Sequence, residues 1–226
     1  MPKSTNAERV TTGIIGLDKL IGGGLIKGST TLVSGSAGTG KTIFCAQFIW
    51  EGLQKGENCM FITLEEKPEE IKNDVVAFGW DFEPFEKRGK LFLEYRDPFE
   101  VTDIVAPLID KIKANKIQRV AIDSTSTLGL YFNNPFEVRK QLFKLLMALK
   151  STGTTAVLTA EVADGNKLSR FGVEEFITDG VITLQYDFYK PNPLSMLVRK
   201  MRQTSHFKTS VPMEITDKGI ILKTGK

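Results

Sequence analysis

Short apolar runs alternate with amphipathic stretches along this chain, a rhythm that predicts strands and helices in βαβ succession around a parallel sheet. Thr30 to Val33 reads as a strand ending in a glycine-rich turn, and Lys41 to Leu53 as the helix after it, with Gly56 near its end. Cys59 to Leu64 is a second strand and Pro68 to Phe78 a second helix. Pro68 suits a first-turn position, where its missing N–H has no intrahelical partner to lose. Lys90 to Tyr95 and Val101 to Lys113 repeat the strand–helix pair. Arg119 to Ile122 reads as a short buried strand, followed by a loop, a long helix from Phe136 to Leu149, Gly153, and a strand from Thr154 to Thr159. The rhythm then changes. Gly180 to Phe188 and Ser195 to Arg202 flank Pro191 and Pro193 as a hairpin with an irregular tip. Pro212 to Ile215 and Ile220 to Leu222, around Asp217-Lys218-Gly219, form a smaller one. The expected fold is α/β: a mostly parallel twisted sheet flanked by helices, with antiparallel strands at the C-terminal edge.

At 226 residues, 41% hydrophobic and 25% charged, the chain suits one domain, 1–226, with a core that needs no disulfide or metal staple. Thirty basic against 27 acidic residues leave a formal charge of +3, too small an excess to indicate nucleic-acid binding by itself. Cys45 and Cys59 sit in apolar surroundings without metal-ligand spacing and read as buried thiols in a reducing compartment. There is no apolar run of 18 or more residues, and Met1 to Arg9 is polar, unlike a secretory signal. The expectation is therefore a cytoplasmic protein without a membrane partner.

Gly35-Ser36-Ala37-Gly38-Thr39-Gly40-Lys41-Thr42 matches G-x-x-x-x-G-K-[ST] between a predicted strand and a predicted helix. Glycines at this spacing let the backbone curl until successive N–H groups face one phosphate, and the helix N-terminus adds its dipole. Lys41 is expected to reach the β- and γ-phosphates, and the Thr42 hydroxyl to bind Mg²⁺. Such a cation also needs a carboxylate at a neighbouring strand end, and Asp123 after Val120-Ala121-Ile122 is the candidate; an Asp there can equally be a turn residue. Glu65 and Glu66 end the second strand, where ligands gather in open parallel sheets, and can divide the orienting and proton-accepting roles of hydrolysis. With Glu69 and Glu70 close behind, they read equally well as a solvated acidic run.

Further segments carry a family likeness: Thr12-Gly13-Ile14-Ile15-Gly16-Leu17-Asp18-Lys19-Leu20 with Gly22-Gly23-Gly24, then Phe61-Ile62-Thr63-Leu64-Glu65-Glu66, Ile122-Asp123-Ser124, Thr178-Asp179-Gly180-Val181-Ile182, and Val198-Arg199-Lys200-Met201-Arg202 with His206. In these, and in their order over nearly its whole length, the chain resembles the KaiC-like branch of the RecA superfamily, and in its one-domain length the single-domain members found widely in archaea. The resemblance implies a RecA-like P-loop fold and an ATPase whose subunits form hexameric rings or filaments with ATP between neighbours. It implies ATP rather than another nucleotide, gives Glu65 and Glu66 the water-activating role, and makes Lys200 and Arg202 a trans-acting pair aimed at the adjacent subunit's γ-phosphate. Two-residue spacing on a strand would point Lys200 and Arg202 the same way, with Met201 inward; charges that guard an edge strand would look similar. The chain departs from the clock proteins of this branch. Those have two fused ATPase domains, and their phosphate-accepting Ser/Thr pair is replaced here by Glu175 and Phe176, with only Thr178 nearby, so autokinase activity is not expected.

The expected function is a switching or regulatory ATPase whose protein partner is open. One alternative is a DNA-binding recombinase paralogue, using Tyr131, Phe132, Arg139 and Lys140 in the loop from Leu128 to Lys140, and Lys167, Arg170 and Phe171 in that from Glu161 to Phe176. Another is a nucleotide-sensing scaffold that does not hydrolyse.

Overall fold

A computed structural model describes residues 7–97, 105–132, 134–162, 169–187, 189 and 193–223, with residues 130 and 131 as backbone alone. A small antiparallel pair, β1 (Arg9–Val10) and β2 (Leu25–Ile26), encloses a short helix α1 (Leu17–Leu20). Then follow β3 (Thr30–Gly35), α2 (Lys41–Gln54), β4 (Cys59–Thr63), α3 (Pro68–Val76), α4 (Glu83–Lys87), β5 (Leu91–Tyr95), α5 (Val105–Asn115) and β6 (Arg119–Asp123). The second half holds α6 (Leu128–Tyr131), α7 (Pro135–Thr152), β7 (Thr155–Glu161), α8 (Glu174–Ile177), β8 (Gly180–Tyr186), β9 (Leu194–Met201), β10 (Val211–Thr216) and β11 (Gly219–Leu222).

Among the described residues the main sheet runs β5-β4-β6-β7-β3-β8-β9-β10-β11. Pairing is parallel from β5 through β8 and antiparallel from β8 to β11, the α/β arrangement expected from the sequence. The parallel strands are apolar on both faces because helices cover both. Phe61, Ala121 and Val157 face a cluster with Phe44 and Phe48 of α2 and Ile71 and Val75 of α3. Their chain neighbours Met60, Ile62, Val120, Ile122 and Leu158 face a second cluster with Ile112 of α5 and Leu142, Leu146 and Leu149 of α7. So α3 and α7 lie on opposite faces of the sheet.

Several boundaries differ from the sequence reading for identifiable reasons. α7 starts one residue early because the Asn134 side chain accepts the Phe136 N–H at 2.9 Å with Pro135 in the first turn, and it runs to Thr152, where Gly153 at φ 72° turns the chain left-handed. The start of the helix expected from Val101 and the tip around Pro191 lie outside the described residues. β9 turns Met201 inward as expected but ends before Arg202, which corrects the expectation that Arg202 lies on the strand. Val181 pairs with Lys200 but Ile182 with Val198, so Arg199 is an extra, bulged residue, and the strand ends at Met201. Met196, Val198 and Met201 are therefore the inward positions, and Arg202 sits in the turn beyond the strand.

Arg119 is fully buried, donating from Nε to Glu57 Oε2 at 2.5 Å and from Nη2 to Glu57 Oε1 at 3.1 Å. It also donates to the Thr11 and Phe48 carbonyls and stacks over the Phe48 ring. It thereby ties the N-terminal segment to α2 and the sheet. No described helix is long and apolar enough to cross a membrane.

Candidate nucleotide site

β3 is buried along its whole length and delivers the glycine-rich segment to the carboxyl edge of the sheet, between β7 and β8. Beyond Gly35 the chain surfaces: Ser36, Ala37 and Gly38 are exposed, while Thr39 is buried and donates to the Ser36 carbonyl at 2.8 Å. Gly38 and Gly40 adopt φ of 76° and 91°, which side-chain-bearing residues resist. A Cβ on Gly35 would lie 2.5 Å from Thr39 Oγ1 and 2.7 Å from the Leu184 carbonyl. Gly40 precedes α2 without any side-chain cap, so the first-turn N–H groups of this 14-residue helix are left to an anion. The Lys41 ammonium folds over the loop and donates to the Ser36 carbonyl at 3.0 Å.

The parallel register brings three more strand ends to the same edge: Thr63 pairs with Asp123, and Gly35 with Glu161. Asp123 is buried and accepts the Thr159 hydroxyl of β7 through Oδ1. Past Thr63 the chain makes a tight turn held by one hydroxyl, which donates to the Glu66 carbonyl at 2.8 Å and accepts the Glu66 N–H at 2.9 Å and the Glu65 N–H at 3.3 Å. The two carboxylates then diverge. Glu65 is exposed and accepts the buried Ser124 hydroxyl. Glu66 is half-buried, and its Oε2 is a buried oxygen without a hydrogen-bond partner among the described residues. Burial, and after it the carboxylates of Asp123, Asp74, Glu70 and Glu65, push the Glu66 pKa above the usual carboxylate range.

Glu66 lines a cleft of about 260 Å³ together with Gly38, Gly40, Lys41, Thr42 and Asp74. The rest of its wall is apolar: Ile43 and Ala46 of α2, Ile71 and Val75 of α3, Phe78, and Ile215 of β10, whose Cδ1 would lie 3.0 Å from a Cβ on Gly40. Glycine-rich backbone at one end and an apolar wall at the other have the character that the two halves of a nucleotide require. Among the described residues no group of three or more His, Cys, Asp or Glu could hold a metal alone. Thr42 and Asp123 supply a hydroxyl and a carboxylate, the donor types for a Mg²⁺ that would complete its oxygen shell from phosphates.

Lys200 and Arg202 lie elsewhere. Met201 pairs with Gly180, which is beside Thr31 near the start of β3, so both cations are at the end of the sheet opposite their own phosphate loop. The Lys200 ammonium donates to the carbonyls of Thr178 at 2.6 Å and Glu175 at 2.9 Å, capping α8, and burial followed by the nearby Arg202 charge lowers its pKa. Arg202 Nη1 is 3.5 Å from Asp179 Oδ1. Of the residues weighed for DNA, Arg139 and Lys140 are exposed, Arg170 is 3.4 Å from Glu161, and Phe171 packs into the core, where its ring crowds Gly129. The Tyr131 side chain and Lys167 lie outside the described residues. Sequence reasoning missed Thr63, Ser124, Thr159 and Ile215. A Thr ending a strand before two glutamates was the one legible signal among them, as a turn-forming hydroxyl.

The family model described as "ATPase: KaiC" matches residues 10–226. A UPF0273 protein of Thermotoga maritima is 38% identical over 95% of this chain and 96% of its own length. The circadian clock protein KaiC3 of Synechocystis is 35% identical over 95% of this chain, which spans only 45% of that protein's length. The crystal structure of the KaiC-like protein PH0186 from Pyrococcus horikoshii superposes with a TM-score of 0.88 at 39% identity, covering 96% of this chain and all of that one. The chain belongs to the KaiC ATPase family and has its RecA-like fold.

Proposed function

We propose that this member of the KaiC ATPase family binds Mg-ATP, with the phosphates on Gly35–Thr42 and the base against Ile43, Val75 and Ile215, and hydrolyses it. The observation that carries hydrolysis is Glu66: an unpartnered, partly desolvated carboxylate oxygen in the same cleft as Lys41 and Thr42. Desolvation raises its basicity, which suits a proton acceptor.

The phosphates displace Lys41 from the Ser36 carbonyl and take its charge. Thr42 and Asp123 would hold Mg²⁺, which screens phosphate charge when bound. Glu66 accepts a proton from water as the water oxygen bonds to the γ-phosphorus and the bond to the β,γ-bridging oxygen breaks, leaving ADP and phosphate. Glu65, tethered by Ser124, keeps the turn oriented and adds a negative charge that keeps Glu66 basic. Because Lys200 and Arg202 lie at the far end of their own sheet, they serve a neighbouring copy, which supports a head-to-tail ring or filament working as a nucleotide-dependent switch. Cys45 and Cys59 are free and buried, in keeping with a reducing, cytoplasmic setting.

Single-turnover hydrolysis tests the site. Glu66→Gln is expected to slow the chemical step by about 100-fold while leaving equilibrium binding of a fluorescent ATP analogue within a few-fold. An unchanged rate would remove Glu66 from the mechanism, and binding that survives Lys41→Ala intact would move the phosphate site elsewhere.

A further inference from the structure

The strand that brings Ile215 to the cleft is loosely tied to the sheet it extends. β10 pairs with β9 only at Val211 and Pro212, near its start, and the stretch that includes Ile215 pairs with β11 alone. β11 is the last strand of the sheet, so Ile215 is held in place by whatever holds β11 from its outer side. Two polar contacts do so among the described residues. Ile15 bridges Ile221, and its carbonyl accepts the Leu222 N–H at 2.9 Å. The other contact is a side chain of α2, Gln47.

Gln47 is 3% exposed, between the apolar neighbours Ala46 and Phe48. Its amide meets both main-chain groups of Ile220: Oε1 accepts the N–H at 2.7 Å, and Nε2 donates to the carbonyl at 3.3 Å. The same nitrogen also donates to the Gly13 carbonyl at 2.9 Å. The side chain thus takes the place of a neighbouring strand, because a carboxamide carries the donor and acceptor of a peptide group. Gly219 leaves room for it: a Cβ there would lie 2.6 Å from Gln47 Oε1 and 2.6 Å from the Trp80 ring. Across the hairpin Ile220 pairs with Ile215, and both side chains reach Gly40, their Cδ1 atoms 3.8 Å and 3.0 Å from a Cβ built there.

We propose that Gln47 is a positioning residue for the base end of the nucleotide site: its amide fixes β11, and through the Ile215–Ile220 pair it holds Ile215 against Gly40 as the wall on which the base packs. Gln47 does not line the cleft itself, whereas Ala46, just before it on the same helix, does. The phosphate end is set separately, by β3 and the first turn of α2. Loss of the amide therefore loosens the grip on the base and leaves the phosphate cradle as it was.

The inference rests on the nucleotide reading of the cleft, and inorganic tripolyphosphate, which has phosphates and no base, separates the two. Gln47→Leu keeps a similar bulk and removes all three bonds. It is expected to raise KM for ATP about tenfold with kcat within about twofold, and to leave tripolyphosphate affinity unchanged in isothermal titration. Ile215→Ala is expected to show the same pattern. The double variant should be no worse than Ile215→Ala alone, because the amide acts through that side chain. If Gln47→Leu does not fold, Gly219→Ala pushes the hairpin off the same amide from the other side and carries the test with the same expectations. Equal losses for ATP and tripolyphosphate, an unchanged KM for ATP, or effects that multiply in the double variant overturn the proposal. The nucleotide reading fails differently: Lys41→Ala then binds both ATP and tripolyphosphate as tightly as the wild type.

Discussion

The Thr63 hydroxyl holds Glu66 by its backbone at two points, donating to the carbonyl at 2.8 Å and accepting the N–H at 2.9 Å. One buried side chain thus sets where the carboxylate leaves the strand, although it does not itself line the cleft.

Thr63→Val keeps the shape of the side chain and removes these bonds, leaving polar backbone at the strand end. The expected outcome is a stability loss of about 1–2 kcal/mol, together with a fall in kcat of roughly tenfold, on the order expected when a catalytic group is misplaced, and little change in KM. Steady-state kinetics alongside urea unfolding check it. A variant that loses stability but keeps full kcat would reduce Thr63 to a structural role.

Gly35→Ala places a methyl group 2.5 Å from Thr39 Oγ1 and 2.7 Å from the Leu184 carbonyl, and the second of these is backbone that cannot step aside. The loop must open, so nucleotide affinity should drop at least tenfold, or about 1.4 kcal/mol. Isothermal titration with ADP and with ATP measures it, and equal losses for both would show that the cradle itself, rather than a contact to the γ-phosphate, is what failed.

Arg119→Met breaks a buried ion pair and orphans Glu57 and two carbonyls. The penalty should reach about 3 kcal/mol or more, with nucleotide binding by the surviving folded fraction unaffected. The double variant with Glu57→Leu should recover part of that loss, since the uncompensated carboxylate is gone.

Asp179 links β3, α7 and the turn holding Arg202. Burial acts to raise its pKa, but the Lys150 hydrogen bond, the Thr30 N–H, the Lys150 charge and the Thr30 hydroxyl outweigh it and hold the carboxyl below the usual range. A folded-state pKa below the unfolded value means that the folded form resists protonation. Its contribution is complete above the unfolded value of about 3.9 and is lost as pH falls through the lower folded value. Urea midpoints measured from neutral pH down to about pH 3 should therefore fall less steeply for Asp179→Asn than for the wild type, from a lower starting stability. Parallel curves would show that Asp179 is not a source of the acid sensitivity.

How far the site could be read without coordinates varies residue by residue. The tight curl of Gly35 to Thr42 was legible because only glycine at set spacings permits that backbone path; the constraint is local and leaves a local trace. Asp123 was legible as the last residue of an apolar strand. The division between Glu65 and Glu66 was not, because it depends on Ser124, just past β6, reaching one carboxylate, while Oε2 of the other finds no partner among the described residues. Lys200 was legible as pointing away from an inward Met201, and the bulge at Arg199 is what brings Met201 inward after Met196 and Val198; that Arg202 falls beyond the strand end was not legible, since register is set by the partner strand β8.

The succession of strands and helices, the parallel character of the centre and the antiparallel edge follow from hydrophobic periodicity, which each segment carries by itself. Tertiary structure alone decided which segments became neighbours: β3 between β7 and β8, an apolar wall from Ile215 far along the chain from the loop, and α3 and α7 on opposite faces of the sheet. The reason is physical. Periodicity states that a side must be buried but not against what, and contacts between distant residues are selected by the packing of the whole core rather than by any one stretch of chain.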